Sequence, residues 1–142
     1  MTTINSELII HPEIIKLNIL HLKKKLKGNS KFMAIVKSNA YGHNLKNLIY
    51  DIDNLVDGYG VVRISEANLI RKVSKKKILL MQGVYSYRDL KSAKKNNYDL
   101  VVHDQSQFDL LEKHNFFKNI WIKVNTVMNR LGFNYKDFKT LF

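Results

Sequence analysis

The segment FMAIVK at residues 32–37 consists of five apolar residues followed directly by a lysine. Four further short runs share its apolar, β-branched character, at residues 58–63, 78–81, 100–102 and 120–124. Each run is largely continuous rather than alternating, which is typical of a strand buried on both faces. Stretches of helical periodicity separate the runs, with room for one helix and two short loops. The pattern predicts an α/β chain, a helix followed by five βα units around a parallel sheet.

Helix boundaries are also marked in the sequence. Pro12 fits the first turn of the first helix, where its missing N–H is not needed, and Gly28 is expected to end that helix. Ser86 and Asp104 are expected to cap the N-termini of two later helices. A last helix is predicted from Tyr135, and no linker divides the chain into separate domains.

Length and composition limit the class of protein. A chain of 142 residues with 45% hydrophobic content can form one domain with a real core. The absence of cysteine excludes disulfides, a cysteine nucleophile and thiolate metal sites. No apolar run approaches the roughly 18 residues of a membrane helix, and the polar first ten residues do not resemble a signal peptide. We therefore expect a soluble cytoplasmic protein.

The net charge of +12 raises the alternative of a nucleic-acid binder, with residues 23–25 and 75–77 as its basic patches. The basic residues are 20 lysines and only 4 arginines, and the lysines are spread along the chain. Phosphate-binding surfaces favour arginine forks in a local patch, and lysines near helix ends complement the helix dipole, so we expect no nucleic-acid partner. No histidine is spaced with carboxylates as a metal site requires; the five are His11, His21, His43, His103 and His114.

Reactive groups in parallel α/β folds collect at the carboxyl ends of the strands. This rule selects Lys37, Arg63, Gln82, His103, Lys123 and Arg130. Lys37 is of most interest, because partial desolvation at the end of an apolar strand disfavours its charged form and favours a nucleophilic amine. The alternative is a lysine whose amine simply extends to solvent, and the context alone favours that alternative. Similarly, the Tyr41 hydroxyl either donates to a bound anion or caps the seam between helix and sheet.

Two longer segments carry a family resemblance. FMAIVKSNAYGH at residues 32–43 resembles the pyridoxal-phosphate segment of alanine racemases, and WIKVNTVMNRLGF at residues 121–133 resembles the second signature of that family. GVVRISEA at residues 60–67 is similar to the family's second strand and helix, and the N-terminal helix with Asn18 fits as well. The segments follow the family's order at about its spacing, so the resemblance covers essentially the whole chain.

The resemblance implies roles for four residues. Lys37 matches the lysine that binds pyridoxal phosphate covalently and acts as one of two bases at the substrate α-carbon. Tyr41 matches the tyrosine near the cofactor phosphate, and Arg130 matches the arginine that hydrogen-bonds the phenolic oxygen of the cofactor. Lys123 matches the lysine that is carbamylated in many members, where it orients that arginine.

The resemblance also implies an isomerase that interconverts L-alanine and D-alanine, supplies D-alanine to the bacterial cell wall and works as a homodimer. Its fold would be a TIM barrel, the (β/α)8 type, followed by a β domain. Residues 1–142 resemble only the N-terminal part of that barrel domain, its first five βα units, and the C-terminal β domain is absent. We therefore expect a partial or truncated chain that is not active alone. A fragment, a decayed gene and one half of a split enzyme remain open, as does a non-catalytic, single-barrel protein that binds pyridoxal phosphate.

The sequence departs from the family pattern at several points. No tyrosine matches the second catalytic base, which the family takes from the C-terminal domain of the partner subunit. Val127 stands where glycine is usual and is expected to crowd a backbone turn. Asn125 replaces the usual aspartate and Asn44 a common glycine. Five strands cannot close such a barrel, so strands one and five are expected to be open edges.

Overall fold

The computed structural model describes residues 7–140 and contains one sheet of five parallel strands in the order β1-β2-β3-β4-β5. The strands are β1 (Met33–Ile35), β2 (Gly58–Val61), β3 (Lys77–Leu80), β4 (Asp99–Val102) and β5 (Ile120–Ile122). The predicted α/β class and parallel sheet are confirmed. β1 and β5 are its two edges, as expected from the sequence.

Helices alternate with the strands. They are α1 (Pro12–Lys23), α2 (Lys37–Tyr41), α3 (Leu45–Ile52), α4 (Ile64–Arg71), α5 (Tyr87–Asn96), α6 (Gln105–Lys113) and α7 (Tyr135–Thr140), with a 3₁₀ turn at Asp53–Leu55. Right-handed crossovers between neighbouring parallel strands place the connecting helices on one face of the sheet. None of the helices within residues 7–140 is long and apolar enough to cross a membrane.

The central and the edge strands of the sheet are buried to different degrees. Tyr59, Ile78 and Leu80 belong to the main apolar core and have no exposed surface. On the edge strands, by contrast, Ile35 is 39% exposed and Trp121 is 47% exposed. The expectation of burial on both faces is therefore wrong for β1 and β5, because each has a neighbouring strand on one side only.

Asp99 is a buried carboxylate at the start of β4, only 2% exposed. Its Oδ2 accepts hydrogen bonds from the Trp121 indole N–H at 2.9 Å and from the Lys77 ammonium at 3.2 Å. A buried charge is stable only when it is paired and hydrogen-bonded. This group therefore ties together the beginnings of three consecutive strands.

The helix caps follow the sequence in part. Ser86 and Asp104 each accept a hydrogen bond from the third amide of the following helix, at 3.1 and 3.0 Å, which confirms both predicted N-caps. The prediction that Gly28 ends α1 is wrong, because the helix ends at Lys23. There the Lys23 ammonium reaches the carbonyl of Leu55 at 2.8 Å, and the next residues form tighter turns instead of further helix.

Lysines of the two basic runs have structural partners. The Lys76 ammonium donates to the carbonyls of Asp53, which begins the 3₁₀ turn, and of Val56, which directly follows that turn. Lys77 pairs with Asp99, as described above. Lys76 and Lys77 thus have partners within the fold, beyond the expected role of lysines as complements of the helix dipole.

Candidate active site

A groove of about 700 Å³ opens beyond the carboxyl ends of β1, β2 and β3. Lys37, Arg63, Glu66 and Tyr85 are among the residues that line it. The groove lies where the topology of a parallel α/β sheet places reactive groups. It combines an amine, a guanidinium, a carboxylate and a phenol around one open space.

Lys37 is half-buried at the wall of this groove. The amide of Val36 donates to the carbonyl of Gly60 at 2.9 Å, which continues the sheet pairing up to the residue before Lys37. The Lys37 ammonium lies 5.8 Å from the centre of the Tyr41 ring, within reach of a cation–π contact. The structure thus brings together two of the four residues that the family resemblance selects.

The segment of residues 37–41, called here the Lys37 segment, has an unusual backbone. Ser38, Asn39, Ala40 and Tyr41 have φ angles of 54°, 56°, 55° and 53°, so four consecutive residues are left-handed. Each such residue costs about 1–2 kcal/mol when it carries a side chain. The sequence does not predict this turn, because none of the four residues is glycine. Tyr41 is 59% exposed here, so it does not cap the seam between helix and sheet.

Glu66, in the first turn of α4, hydrogen-bonds the backbone of the Lys37 segment. Its Oε1 accepts the Ser38 amide at 2.6 Å, while Oε2 accepts the amides of Val62 and Arg63 at 3.2 and 3.1 Å. Partial burial raises the pKa of Glu66, but four backbone N–H donors, led by Arg63 and Val62, outweigh burial and hold that pKa below its ordinary value. Our sequence interpretation included Glu66 only as part of the GVVRISEA segment and missed this role.

His103 and Tyr85 form a second polar pair beside the groove. The Tyr85 hydroxyl and His103 Nε2 are 2.8 Å apart, and His103 Nδ1 lies 3.3 Å from the Asp104 carboxylate. Desolvation and the charge of Asp104 raise the pKa of Tyr85. Gln107 accepts the amide of His103 and donates to the carbonyl of Gln82, so it joins the ends of β3 and β4. The strand-end rule selected His103 and Gln82 but missed Tyr85 and Gln107.

Lys123 and Arg130 lie on the other edge of the sheet, in the segment of residues 123–133 called here the Arg130 loop. Lys123 directly follows β5, is half-buried, and donates its amide to the carbonyl of Val102 at 2.8 Å. Arg130 is exposed. The loop closes on itself, because Asn125 and Asn129 exchange two hydrogen bonds, at 2.9 and 3.0 Å, and Phe133 returns to donate to the Lys123 carbonyl.

The expected site residues follow the two edge strands of the sheet, Lys37 and Tyr41 after β1 and Lys123 and Arg130 after β5. Four strand spacings of about 4.8 Å place β1 and β5 roughly 19 Å apart along the sheet. Within the described range 7–140, no hydrogen bond or ion pair joins Lys37 or Tyr41 to Lys123 or Arg130. The candidate residues of the two edge strands therefore make no direct bond to each other.

Val127 confirms the expected crowding in the Arg130 loop. Its φ is 106° and it is 85% exposed, so a β-branched residue adopts a backbone conformation that favours glycine, and little packing compensates for it. Gly132, later in the loop, has a φ of 122°, and a Cβ there would lie 2.8 Å from the Asn125 amide nitrogen. The turn thus needs glycine at position 132 and carries strain at position 127.

Comparison with known proteins gives the family. Residues 10–142 match the model of the alanine racemase N-terminal domain. The alanine racemase of Vesicomyosocius okutanii subsp. Calyptogena okutanii is 43% identical over 129 residues, which cover 91% of this chain and 36% of that protein. The alanine racemase of Mannheimia succiniciproducens is 40% identical over 126 residues, covering 87% of this chain and 35% of that protein. The chain belongs to the alanine racemase family.

Solved alanine racemases share the fold. The structure from Acinetobacter baumannii superposes with a TM-score of 0.81 at 33% identity, covering 93% of this chain and 42% of that one. The structure from Bartonella henselae, which contains covalently bound pyridoxal phosphate, gives a TM-score of 0.78 at 23% identity, covering 93% and 38%. The five strands correspond to the N-terminal TIM-barrel domain of the family, and the barrel is incomplete in this chain. The chain thus spans little more than a third of the length of the curated relatives it matches.

Proposed function

We propose that this chain supplies the lysine-bearing N-terminal part of a pyridoxal-phosphate-dependent alanine racemase. The enzyme would interconvert L-alanine and D-alanine in the cytoplasm, as a homodimer, and supply D-alanine for a bacterial cell wall. One observation carries the proposal: the half-buried Lys37 amine lies at the wall of the groove beyond β1, with Tyr41 beside it. Membership of the family supports the reaction type.

The residues around the groove fit the cofactor at its point of attachment. Lys37 offers a primary amine that faces open space, which covalent attachment to an aldehyde requires. Tyr41 is exposed next to it, and its hydroxyl is a suitable donor to a phosphate oxygen. Pyridoxal phosphate, when bound, supplies an electron sink that makes the α-proton of an amino acid acidic.

Lys37 would remove or return the α-proton on one face of the substrate. Racemisation needs a second acid/base group on the opposite face, because a proton is taken from one side and delivered to the other. We propose that this second group, a tyrosine, comes from a part of the enzyme beyond residues 1–142. These residues would then hold half of the proton-transfer machinery.

Arg130 and Lys123 complete the proposal from the other edge of the sheet. The Arg130 guanidinium is a permanent hydrogen-bond donor, suited to the phenolic oxygen of the cofactor. Lys123, once carbamylated, would hold that guanidinium in place. Both roles require the cofactor to reach from Lys37, which follows the edge strand β1, to the loop that follows the other edge strand, β5.

A second candidate function is cofactor binding without racemisation. The groove beside Lys37 is formed by three neighbouring strands of this chain, whereas Lys123 and Arg130 lie outside it. Attachment of the cofactor and proton exchange on one face need only the first group of residues, while racemisation needs an acid/base group on each face.

An isotope-exchange experiment tests the racemase proposal and separates it from the second candidate. L-Alanine is incubated with the chain and pyridoxal phosphate in D₂O, and loss of the α-proton is followed by NMR, with chirality read by chiral chromatography. We expect exchange about 100-fold faster than with Lys37→Ala, since a positioned general base contributes at least that much. The Lys46→Ala variant, which lacks an exposed lysine of α3, should match wild type. Equal rates for wild type and Lys37→Ala would contradict the assigned role, and covalent attachment without exchange would favour the second candidate.

A further inference from the structure

The Lys37 segment is costly to form. Its four left-handed residues all carry side chains, and this backbone conformation is unfavourable for each of them. Part of the compensation is local, since the Ala40 amide bonds the Val36 carbonyl at 3.0 Å and Asn39 Oδ1 accepts the Leu45 amide at 2.9 Å. These bonds close within residues 36–45 and do not fix the segment relative to the groove.

Glu66 supplies the connection to the rest of the fold. The residue is 28 positions away from Ser38 in sequence, yet the hydrogen bond between its Oε1 and the Ser38 amide is 2.6 Å long. The other carboxylate oxygen is fixed by the amides of Val62 and Arg63, which follow β2. One carboxylate therefore joins the turn after β1, the end of β2 and the start of α4.

The bonded amide belongs to the residue directly after Lys37. This amide shares a peptide plane with the Lys37 carbonyl, so its bond to Glu66 fixes that plane and with it the ψ angle of Lys37 at the wall of the groove. Hydrogen bonds to an ionised carboxylate are about twice as strong as neutral ones, so this acceptor is well suited to hold an unfavourable backbone. Glu66 itself lines the groove that Lys37 lines.

We propose that Glu66 is a positioning residue that holds the Lys37 segment in its left-handed form and so aims the Lys37 amine into the groove. The proposal rests on the function proposed above, because it concerns how the cofactor-attaching lysine is oriented. The competing explanation is that Glu66 only caps α4, through its bond to the amide of Arg63. The two explanations differ at Ser38, which a helix cap would leave untouched.

Amide hydrogen exchange by NMR tests this contact without any cofactor. The Glu66→Gln variant keeps the size of the side chain, but one end becomes an amide donor that faces backbone donors. The single oxygen of the glutamine side chain cannot accept from Ser38 and from Arg63 at once. We therefore expect amide exchange at Ser38, at Arg63 or at both to accelerate about tenfold or more. Exchange at Leu100, in the core of β4, should stay unchanged, and Glu112→Gln, which alters an exposed glutamate of α6, should change neither region. Glu66→Ala, which lacks any acceptor, should accelerate Ser38 in every case.

The second readout is selective labelling of Lys37. Wild type and variants are treated with pyridoxal phosphate and borohydride, and the ratio of label on Lys37 to label on Lys46 is measured by mass spectrometry. We expect this ratio to fall at least fivefold in Glu66→Ala while the core exchange is unchanged. If that variant fails to fold, Glu66→Asp replaces it, because its shorter carboxylate cannot span Ser38 and Arg63 together.

The outcomes separate the two proposals. Unchanged Ser38 exchange in Glu66→Ala, or an unchanged labelling ratio despite faster exchange, overturns the positioning role and leaves the proposed function intact. Absence of selective Lys37 labelling in wild type overturns the proposed function, and the positioning role falls with it. Faster Ser38 exchange together with a lower labelling ratio supports the positioning role.

Discussion

The Lys37 segment and the Arg130 loop lie at opposite edges of one sheet, and they are held in different ways. The Lys37 segment bonds to Glu66, which lies 28 residues from Ser38 in sequence. The Arg130 loop is held largely by its own residues, through the paired side chains of Asn125 and Asn129 and the return of Phe133. Both contain residues of positive φ, but the first is bonded to a distant carboxylate, whereas the second keeps uncompensated strain at Val127.

This difference shows which half of the site five strands can build. The groove beside Lys37 needs β1, β2 and β3, and all three are present with neighbouring helices. The Arg130 loop follows β5, which has only β4 beside it. The chain therefore shapes the attachment lysine through long-range contacts and presents the arginine on an exposed loop.

The largest effect is expected from Gly83→Ala, beside the Lys37 groove. Gly83 has a φ of +66°, and a Cβ there would lie 2.2 Å from the Val101 carbonyl oxygen and 2.6 Å from Gln107 Nε2. We expect the free energy of unfolding to fall by about 3 kcal/mol, measured in urea. Gly28→Ala is the matched control, because its φ is +57° with open space around the new Cβ, and it should cost only about 1 kcal/mol. Equal losses in both variants would contradict the close packing described at Gly83.

Gly132→Ala tests the Arg130 loop by the same kind of change. The new Cβ would meet the Asn125 amide nitrogen at 2.8 Å and the Lys123 carbonyl oxygen at 3.0 Å. We expect the free energy of local opening of the loop to fall by about 2 kcal/mol. Amide exchange at Asn125 and Phe133 should then be faster, while the amides of β2 and β3 keep their protection. Loss of protection throughout the sheet would show that the loop is more tightly coupled to the fold than the contacts indicate.

Val127→Gly should stabilise the protein by removing strain from the Arg130 loop. Val127 is β-branched and has a φ of 106°, so glycine removes backbone strain there. We expect the free energy gained to exceed the entropic cost of glycine, so that the free energy of unfolding rises by about 1 kcal/mol. Met128→Gly, at an exposed neighbour whose φ is not positive, should instead destabilise slightly. A Val127→Gly variant that is no more stable than wild type would contradict backbone strain at Val127.

The smallest effect is a difference in pH dependence between the two regions. The folded pKa of Glu66 is lowered, so its contribution to stability is present above the unfolded value of about 4.3 and is lost as the pH falls through the folded value. The Asn125 and Asn129 side chains do not titrate in this range. Ser38 amide protection, corrected for intrinsic exchange, should therefore fall on acidification below pH ~4, whereas that of Asn129 should not. A parallel decline at both amides would contradict this assignment.

The sequence predicts the architecture well because short apolar runs mark the strands whatever their neighbours are. It also places Lys37 directly after the first strand, since that run stops there, and Lys123 near the end of the fifth run, of which the structure forms a strand only as far as Ile122. The left-handed turn is not predictable in the same way, because nothing in Ser38 or Ala40 favours it and its acceptor, Glu66, becomes adjacent only after folding. The pairing of Tyr85 with His103 is not predictable either, because these residues also become adjacent only after folding.

The central claim is that this chain by itself presents Lys37 as the attachment point for pyridoxal phosphate. The most direct measurement is borohydride reduction of the purified chain with stoichiometric pyridoxal phosphate, followed by a peptide mass map of all 20 lysines. We predict a single pyridoxyl group on Lys37, lost in Lys37→Ala and not transferred to other lysines. Labelling scattered over exposed lysines, with Lys37 no more modified than Lys46, would contradict the claim.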